Sequence, residues 1–321
     1  MIVGGTQQAV TLVARVVLDE GDVAVIEDPQ YQYISQNLIA HGALLVNVRT
    51  DENGLVTADL AKHQARLICV TPSHQFPGGS VLSSERRKEL LRIAAGQGSW
   101  ILEDDYDSEF QFRGRPLRAL RSMDLSDRVI YVGTFSKTLF PSLRLGYIVC
   151  PTSLRDDLRM AKRLDDLGSP AIEQAALAAF IRSGQFEKYL RKSVAELRHR
   201  RSVLLEGLRK YAGDRVEIHD SQVGVHVVVW FPRLNYPQLG RLVQMGIKRG
   251  LGLYPIHPNY RIRPARPGLL LGYAGLSATS LETAAELLGQ CLDLLEQEIT
   301  RENYRKAPVR HSERPILKQP P

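Results

Sequence analysis

Six short runs dominated by Val, Ile and Leu recur through the first half of the chain: Val23–Glu27, Leu44–Val48, Leu67–Thr71, Trp100–Glu103, Val129–Gly133 and Gly146–Cys150. Helical patterns accompany them, notably over Gln7–Leu18, Tyr33–His41 and Ser84–Ala95. A strand that is apolar at almost every position has to be covered on both faces, and intervening helices supply that cover. The expected fold is therefore α/β, with a mainly parallel sheet in a large domain. Sheets of this kind bind ligands outside the carboxyl ends of their strands, so the loops that follow strands carry the functional information.

After Pro151 the pattern changes. Helical spacing covers Ile172–Arg182 and about Glu187–Tyr211, the latter with Leu190, Val194, Leu197, Leu204 and Leu208 on one stripe. Strands are expected at Val225–Phe231 and Leu269–Ala274, and a closing helix at Leu281–Ile299. The reading is a large domain over 1–185, a connecting helix over 186–212, a smaller C-terminal α+β domain over 213–299, and a basic, disordered tail over 300–321. The formal charge of +7 does not by itself indicate nucleic-acid binding. Six Lys/Arg against two acids from Arg301 to Pro321 account for more than half of it, and no recognition-helix motif accompanies the charge. No apolar run is long enough to span a bilayer, and the start does not resemble a signal peptide. Cys69, Cys150 and Cys291 are far apart and lack metal-ligand spacing, as in a reduced, cytoplasmic protein.

Four loops that follow strands carry polar groups with more than one reading. In "GGTQQAV" the Gly4–Gly5 turn and Thr6 open a helix, which suits a phosphate or simply caps the helix. In "EDPQYQY", Tyr31 and Tyr33 either pack over the sheet edge or offer a flat face to a ring. "WILEDDYDSEF" places Glu103, Asp104 and Asp105 at a strand end, where they are solvated, bind a metal, or pair with a protonated ring nitrogen. With no His or further acid at ligand spacing, metal ranks last. "VIYVGTFSKTLFPSLRLGY" adds Lys137 among Thr134, Ser136 and Arg144. A lone lysine there is ordinarily a solvated charge. Partly desolvated and beside a fixed cation, it would be a nucleophilic amine. Phosphate site, ring carboxylate, stacking ring and reactive amine are together what pyridoxal phosphate requires.

The set "GTQQA", "EDP-x-Y", "TPSHQFPGG", "EDDYDSEF" and "GTFSKTLFPSLRLGY" resembles the fold-type I pyridoxal-phosphate enzymes. More narrowly it resembles the aminotransferase-like domain of MocR/GabR transcriptional regulators, over nearly the whole chain up to about Gln297. The resemblance implies pyridoxal 5'-phosphate as cofactor, with Lys137 forming the internal aldimine and Asp104 pairing with the pyridine nitrogen. It further implies that Tyr106 bonds the phenolic oxygen and Tyr31 stacks on the ring. Gly5, Thr6, Thr134, Ser136 and Arg144 would hold the phosphate. A homodimer that completes the active site and a small amine or amino-acid effector or substrate belong to the same expectation.

Three departures qualify the resemblance. Phe76 stands before Pro77 where transaminases carry Asn, and Gly78 replaces a small hydroxyl, so one hydrogen bond to the phenolic oxygen is lost. Leu270 occupies the place of the arginine that binds the substrate carboxylate, although Arg261, Arg263 and Arg266 are near it in sequence. The winged-helix domain through which such regulators bind DNA, and the arm that follows it, do not precede "MIVGGTQQAV". The expectation is an N-terminally truncated chain with exposed apolar patches and a weakened dimer. The favoured function is effector sensing through bound cofactor. An active aminotransferase is the alternative, and a truncated non-functional copy a second one.

Overall fold

The computed structural model describes residues 1–112, 118–219 and 221–306. In chain order the elements are β1 (Ile2–Val3), α1 (Thr6–Val17), β2 (Val23–Asp28), α2 (Gln32–Ala40), β3 (Leu44–Asp51), β4 (Gly54–Leu55), α3 (Thr57–Leu60), β5 (Leu67–Val70), α4 (Ser84–Gln97), β6 (Trp100–Asp105), β7 (Val129–Thr134) and β8 (Gly146–Val149). They continue with α5 (Arg155–Asp166), α6 (Ala171–Arg182), α7 (Gln185–Tyr211), β9 (Glu217–His219), β10 (His226–Trp230), α8 (Tyr236–Lys248), β11 (Tyr254–Pro255), β12 (Gly268–Gly272) and α9 (Ala278–Lys306).

The first eight strands form one sheet in the order β1-β8-β7-β6-β5-β2-β3-β4. The pairs β3–β2, β2–β5, β5–β6 and β6–β7 are all parallel. Strand β8 runs against β7, and β1 runs against β8, so β1 points the same way as β7. This directional arithmetic positions the site. The segments that leave β1, β2, β5, β6 and β7 all emerge at one edge of the sheet, and the segment entering β8 starts there too. All six residues of β6 are buried, as its unbroken apolar start requires. One apolar cluster joins α1, α2 and α5 to the sheet, including Leu12, Val13, Ile34, Leu38, Leu102, Val132 and Leu158. A second covers the other face with Val25, Ile68, Leu90, Ile101 and Val129.

The last four strands form an antiparallel sheet, β11-β12-β10-β9. Its core joins Val227, Val229 and Leu269 to Leu204 and Leu208 of α7, Leu242 of α8 and Leu288 of α9. Phe110 and Phe112, from the loop after β6, are buried in this second core, which ties the loop to both sheets.

Two expectations are corrected. The closing helix runs to Lys306, so residues 300–306 are helical rather than the start of a tail. A run without Pro from Ala278 to Lys306, with Gly289 its one glycine, gives the helix no reason to stop at Ile299. The rest of the expected tail, 307–321, lies outside the described residues. Three helices, the four-residue α3 together with α5 and α8, were not anticipated. In "RDDLRMAKRLDD" only Leu158 and Ala161 are buried, so the apolar stripe is too thin to stand out from its charged flanks. No helix among the described residues is long and apolar enough to cross a membrane.

Candidate cofactor site

The acidic cluster at the end of β6 separates into three environments. Glu103 accepts hydrogen bonds from the backbone N–H groups of Leu120 (2.7 Å) and Arg121 (2.9 Å), anchoring a 3₁₀ turn. Asp105 accepts from the hydroxyls of Ser108 and Tyr131, each at 2.8 Å. Only Asp104 is left with a single long contact, from the Thr6 hydroxyl at 3.4 Å. All three are buried, which removes the solvated reading. Burial, reinforced by the neighbouring Asp105 charge, pushes the Asp104 carboxyl up to about 7. A buried carboxylate short of donors is a poor structural element and a good partner for a cationic ring nitrogen.

The phosphate candidates gather at the start of α1. No side-chain hydrogen bond caps this 12-residue helix, and its N-cap Gly5 has φ 103°. A Cβ built on Gly5 would lie 3.3 Å from the Arg144 guanidinium, so glycine keeps the arginine against the helix start. The Ser136 hydroxyl is buried with no hydrogen-bond partner. An uncapped helix start, an adjoining guanidinium and an orphaned hydroxyl form a donor set suited to a phosphate dianion. Two candidates are otherwise engaged. The Thr134 hydroxyl accepts from the Ser136 backbone N–H at 3.2 Å, and the Thr6 hydroxyl points at Asp104.

Tyr31 is the N-cap residue of α2 and meets Phe76 edge-on, with ring centroids 5.4 Å apart. Phe76 also meets Tyr106 and His226 edge-on, at 6.0 and 5.6 Å, so an aromatic group stands where an amide was expected to be missing. Lys137 follows β7 and is exposed, not partly desolvated as anticipated, because the loop after Thr134 turns its side chain into an open cleft. It lines a cavity of about 740 Å³ together with Phe76, His226, Tyr254, Leu270 and Leu271. Arg261, Arg263 and Arg266 are not among the residues lining it.

The sequence reading overlooked a buried polar group beside Tyr106. His74 Nδ1 lies 3.0 and 3.1 Å from the two Asp107 carboxylate oxygens and 3.1 Å from the Tyr106 hydroxyl. His226 is stacked on His74 with ring centroids 4.9 Å apart, and its Nε2 lies 3.3 Å from the Pro77 carbonyl oxygen. Burial, with His74 and Lys137 adding to it, lowers the His226 imidazole to about 3. His74, Asp107 and His226 are close enough to suggest a metal site. The two rings are within 28° of parallel, however, which sets their in-plane lone pairs side by side instead of converging on one ion. The signals were available: His74 stands in "SHQFP", and His226 interrupts the apolar run "VHVVVW".

Sequence comparison agrees with this architecture. The model of the family described as aminotransferase class I and II matches residues 1–249. The chain belongs to that family. Among curated relatives of this class I and II chain, the probable rhizopine catabolism regulatory protein MocR of Rhizobium meliloti is 37% identical over 297 residues, 92% of this chain and 60% of that protein. The uncharacterized HTH-type transcriptional regulator YhdI of Bacillus subtilis is 34% identical over 84% of this chain and 57% of its own length. The chain thus spans about three-fifths of the length of these relatives. Among solved aminotransferases, LysN, the alpha-aminoadipate aminotransferase of Thermus thermophilus, superposes with a TM-score of 0.84 at 26% identity. The match covers 92% of this chain and 77% of that one. That structure is a complex with N-(5'-phosphopyridoxyl)-L-leucine. The aminotransferase-like fold and the donor set fit pyridoxal phosphate.

Proposed function

We propose that the chain is the cofactor-binding, aminotransferase-like part of a MocR/GabR-type transcriptional regulator, which senses a small amine or amino acid through pyridoxal phosphate. Lys137 would attach the cofactor and Asp104 would hold its ring nitrogen protonated. Tyr106 would bond the phenolic oxygen and Tyr31 would lie against the ring. Gly5, Thr6, Thr134, Ser136 and Arg144 would bind the phosphate. When bound, the cofactor supplies an electrophilic carbon for amines and an electron-withdrawing ring. The observation that carries the sensing reading is the lining of the Lys137 cavity. Phe76 and Leu270 stand there, and no arginine lines it among the described residues, so a ligand carboxylate lacks a bidentate partner.

In this reading residues 1–185 and 213–299 act as large and small domains joined by the helix over 186–212. DNA would be reached through a winged-helix domain outside this chain, in keeping with relatives described as HTH-type transcriptional regulators. The place of action would be the cytoplasm, in keeping with three free cysteines. The exposed apolar residues Met160, Leu164 and Leu167 at α5 and Ile172 on α6 support a homodimer contact. Aminotransferase activity is the second reading, favoured by the likeness to solved aminotransferases such as LysN.

Absorption spectroscopy tests the cofactor assignment. Wild-type protein incubated with pyridoxal phosphate should develop a visible band that Lys137→Ala lacks, and a wild type without the band would overturn the assignment. Incubating the loaded protein with common amino acids separates the two functional readings. A sensor gives at most one equivalent of keto acid, whereas catalytic release would establish an enzyme.

A further inference from the structure

The buried group around His74 has a donor arithmetic that fixes the direction of one hydrogen bond. His74 is 2% exposed and Asp107 1%, so neither is satisfied by solvent. His74 Nε2 is buried without a partner, and a hydrogen placed there would be left unbonded. Nδ1 faces both Asp107 oxygens within 3.1 Å, and a carboxylate can only accept. The ring therefore carries its hydrogen on Nδ1. Tyr106 shares that same Nδ1 at 3.1 Å. Since the Nδ1 lone pair is used by the hydrogen, Tyr106 cannot donate to it, and its oxygen accepts instead. The Tyr106 hydrogen is left available for a third group. Burial holds the Tyr106 phenol well above its usual range, so the hydrogen stays on the oxygen.

The local backbone is built around this arrangement. Gly224 has φ 92°, and a Cβ there would lie 2.1 Å from His74 Cε1 and 2.6 Å from Asp107 Oδ2. The strand segment before β10 can approach the pair only because it has no side chain at that position. Phe76, two residues beyond His74 in the same loop, packs edge-on against Tyr106 and closes the other side.

We propose that His74, held by Asp107, is a positioning residue that makes Tyr106 an obligate hydrogen-bond donor to the phenolic oxygen of bound pyridoxal phosphate. In this way the loop after β5 compensates indirectly for the amide donor that Phe76 displaces. The inference rests on the cofactor reading above. A donor to the phenolic oxygen stabilises its anionic form and lowers the pH at which the lysine–cofactor chromophore loses its proton.

The test is a spectrophotometric pH titration of the cofactor-loaded protein. Tyr106→Phe should raise the midpoint by about one pH unit or more, the worth of one charged hydrogen bond. His74→Leu and Asp107→Ala should raise it in the same direction. His74→Asn should restore it toward the wild-type value, because the amide N–H can stand in for Nδ1–H. In the Tyr106→Phe background, His74→Leu should add nothing. An additive shift in the double variant, or a His74→Asn midpoint no closer to wild type than that of His74→Leu, would overturn the proposal. Should His74→Leu fail to fold, Asp107→Ala, which removes the acceptor from His74, decides the matter alone, since a wild-type midpoint in that variant overturns the proposal. Failure of the cofactor reading is distinct, since the wild type would then show no band to titrate.

Discussion

Gly224 illustrates how much a single position without a side chain can decide. With a positive φ and a Cβ position inside the van der Waals radii of His74 and Asp107, alanine there meets both backbone strain and overlap. Gly224→Ala is expected to cost more than about 2 kcal/mol in urea unfolding and to perturb the spectrum of bound cofactor. A neutral substitution would mean that the segment before β10 is not held against the histidine. At this scale the sequence was partly legible. Lys137, Asp104 and Tyr106 stood in motifs at strand ends, where general rules direct attention. His74, Asp107 and His226 come from segments as far apart as the loop after β5 and the strand β10, and their meeting depends on chain reversals that no local spacing encodes. The exposure of Lys137 was likewise invisible, because burial of a loop side chain is set by distant elements.

Elements were most legible where their burial was most uniform. Of the strands between Val23 and Val149, all but β4 appear within a few residues of their expected bounds, since strands covered on both faces leave continuous apolar runs. The short edge strands β1 and β4, two residues each, bury too little to leave such a trace. Helix α8 was missed although its start is well marked. Asn235 accepts from the Gln238 backbone N–H, and the Gln238 side chain accepts in return from the Asn235 N–H, with a proline in the first turn. Removing the side-chain acceptor of that pair by Asn235→Ala should lower stability by about 1 kcal/mol without altering cofactor binding. Urea unfolding and the absorbance titration, performed on the same variant, check both halves of the statement.

For the whole molecule, burying Asp104 has a stability consequence that reverses with ligand. Its folded value near 7 exceeds the ordinary 3.8, so the folded state holds this proton more tightly than the unfolded chain. The contribution is therefore present below about pH 4 and lost as pH rises toward 7. In the cofactor-free protein, Asp104→Asn should gain on the wild type by roughly 2–3 kcal/mol between pH 5 and pH 7.5. His226 titrates in the opposite sense, but it is common to both proteins and drops out of the difference. With cofactor bound, the order at pH 7.5 should invert, because the asparagine cannot pair with a cationic ring. Thermal midpoints at the two pH values, with and without cofactor, decide it. A difference between cofactor-free variant and wild type that stays constant from pH 5 to pH 7.5 would refute the account.

The loop after β6 is stitched to the second sheet by more than apolar contact. The Gly224 N–H donates to the Phe110 carbonyl at 2.9 Å, the Phe112 N–H donates to the Gln222 carbonyl at 3.0 Å, and Gln111 bridges to Val223 between them. This short ladder is continuous with β10 on one side and with Tyr106 and Asp107 on the other. The two sheets are thus geared together at the tyrosine. A displacement of the four-stranded sheet would therefore either pull on the loop that carries Tyr106 and Asp107 or unzip the ladder.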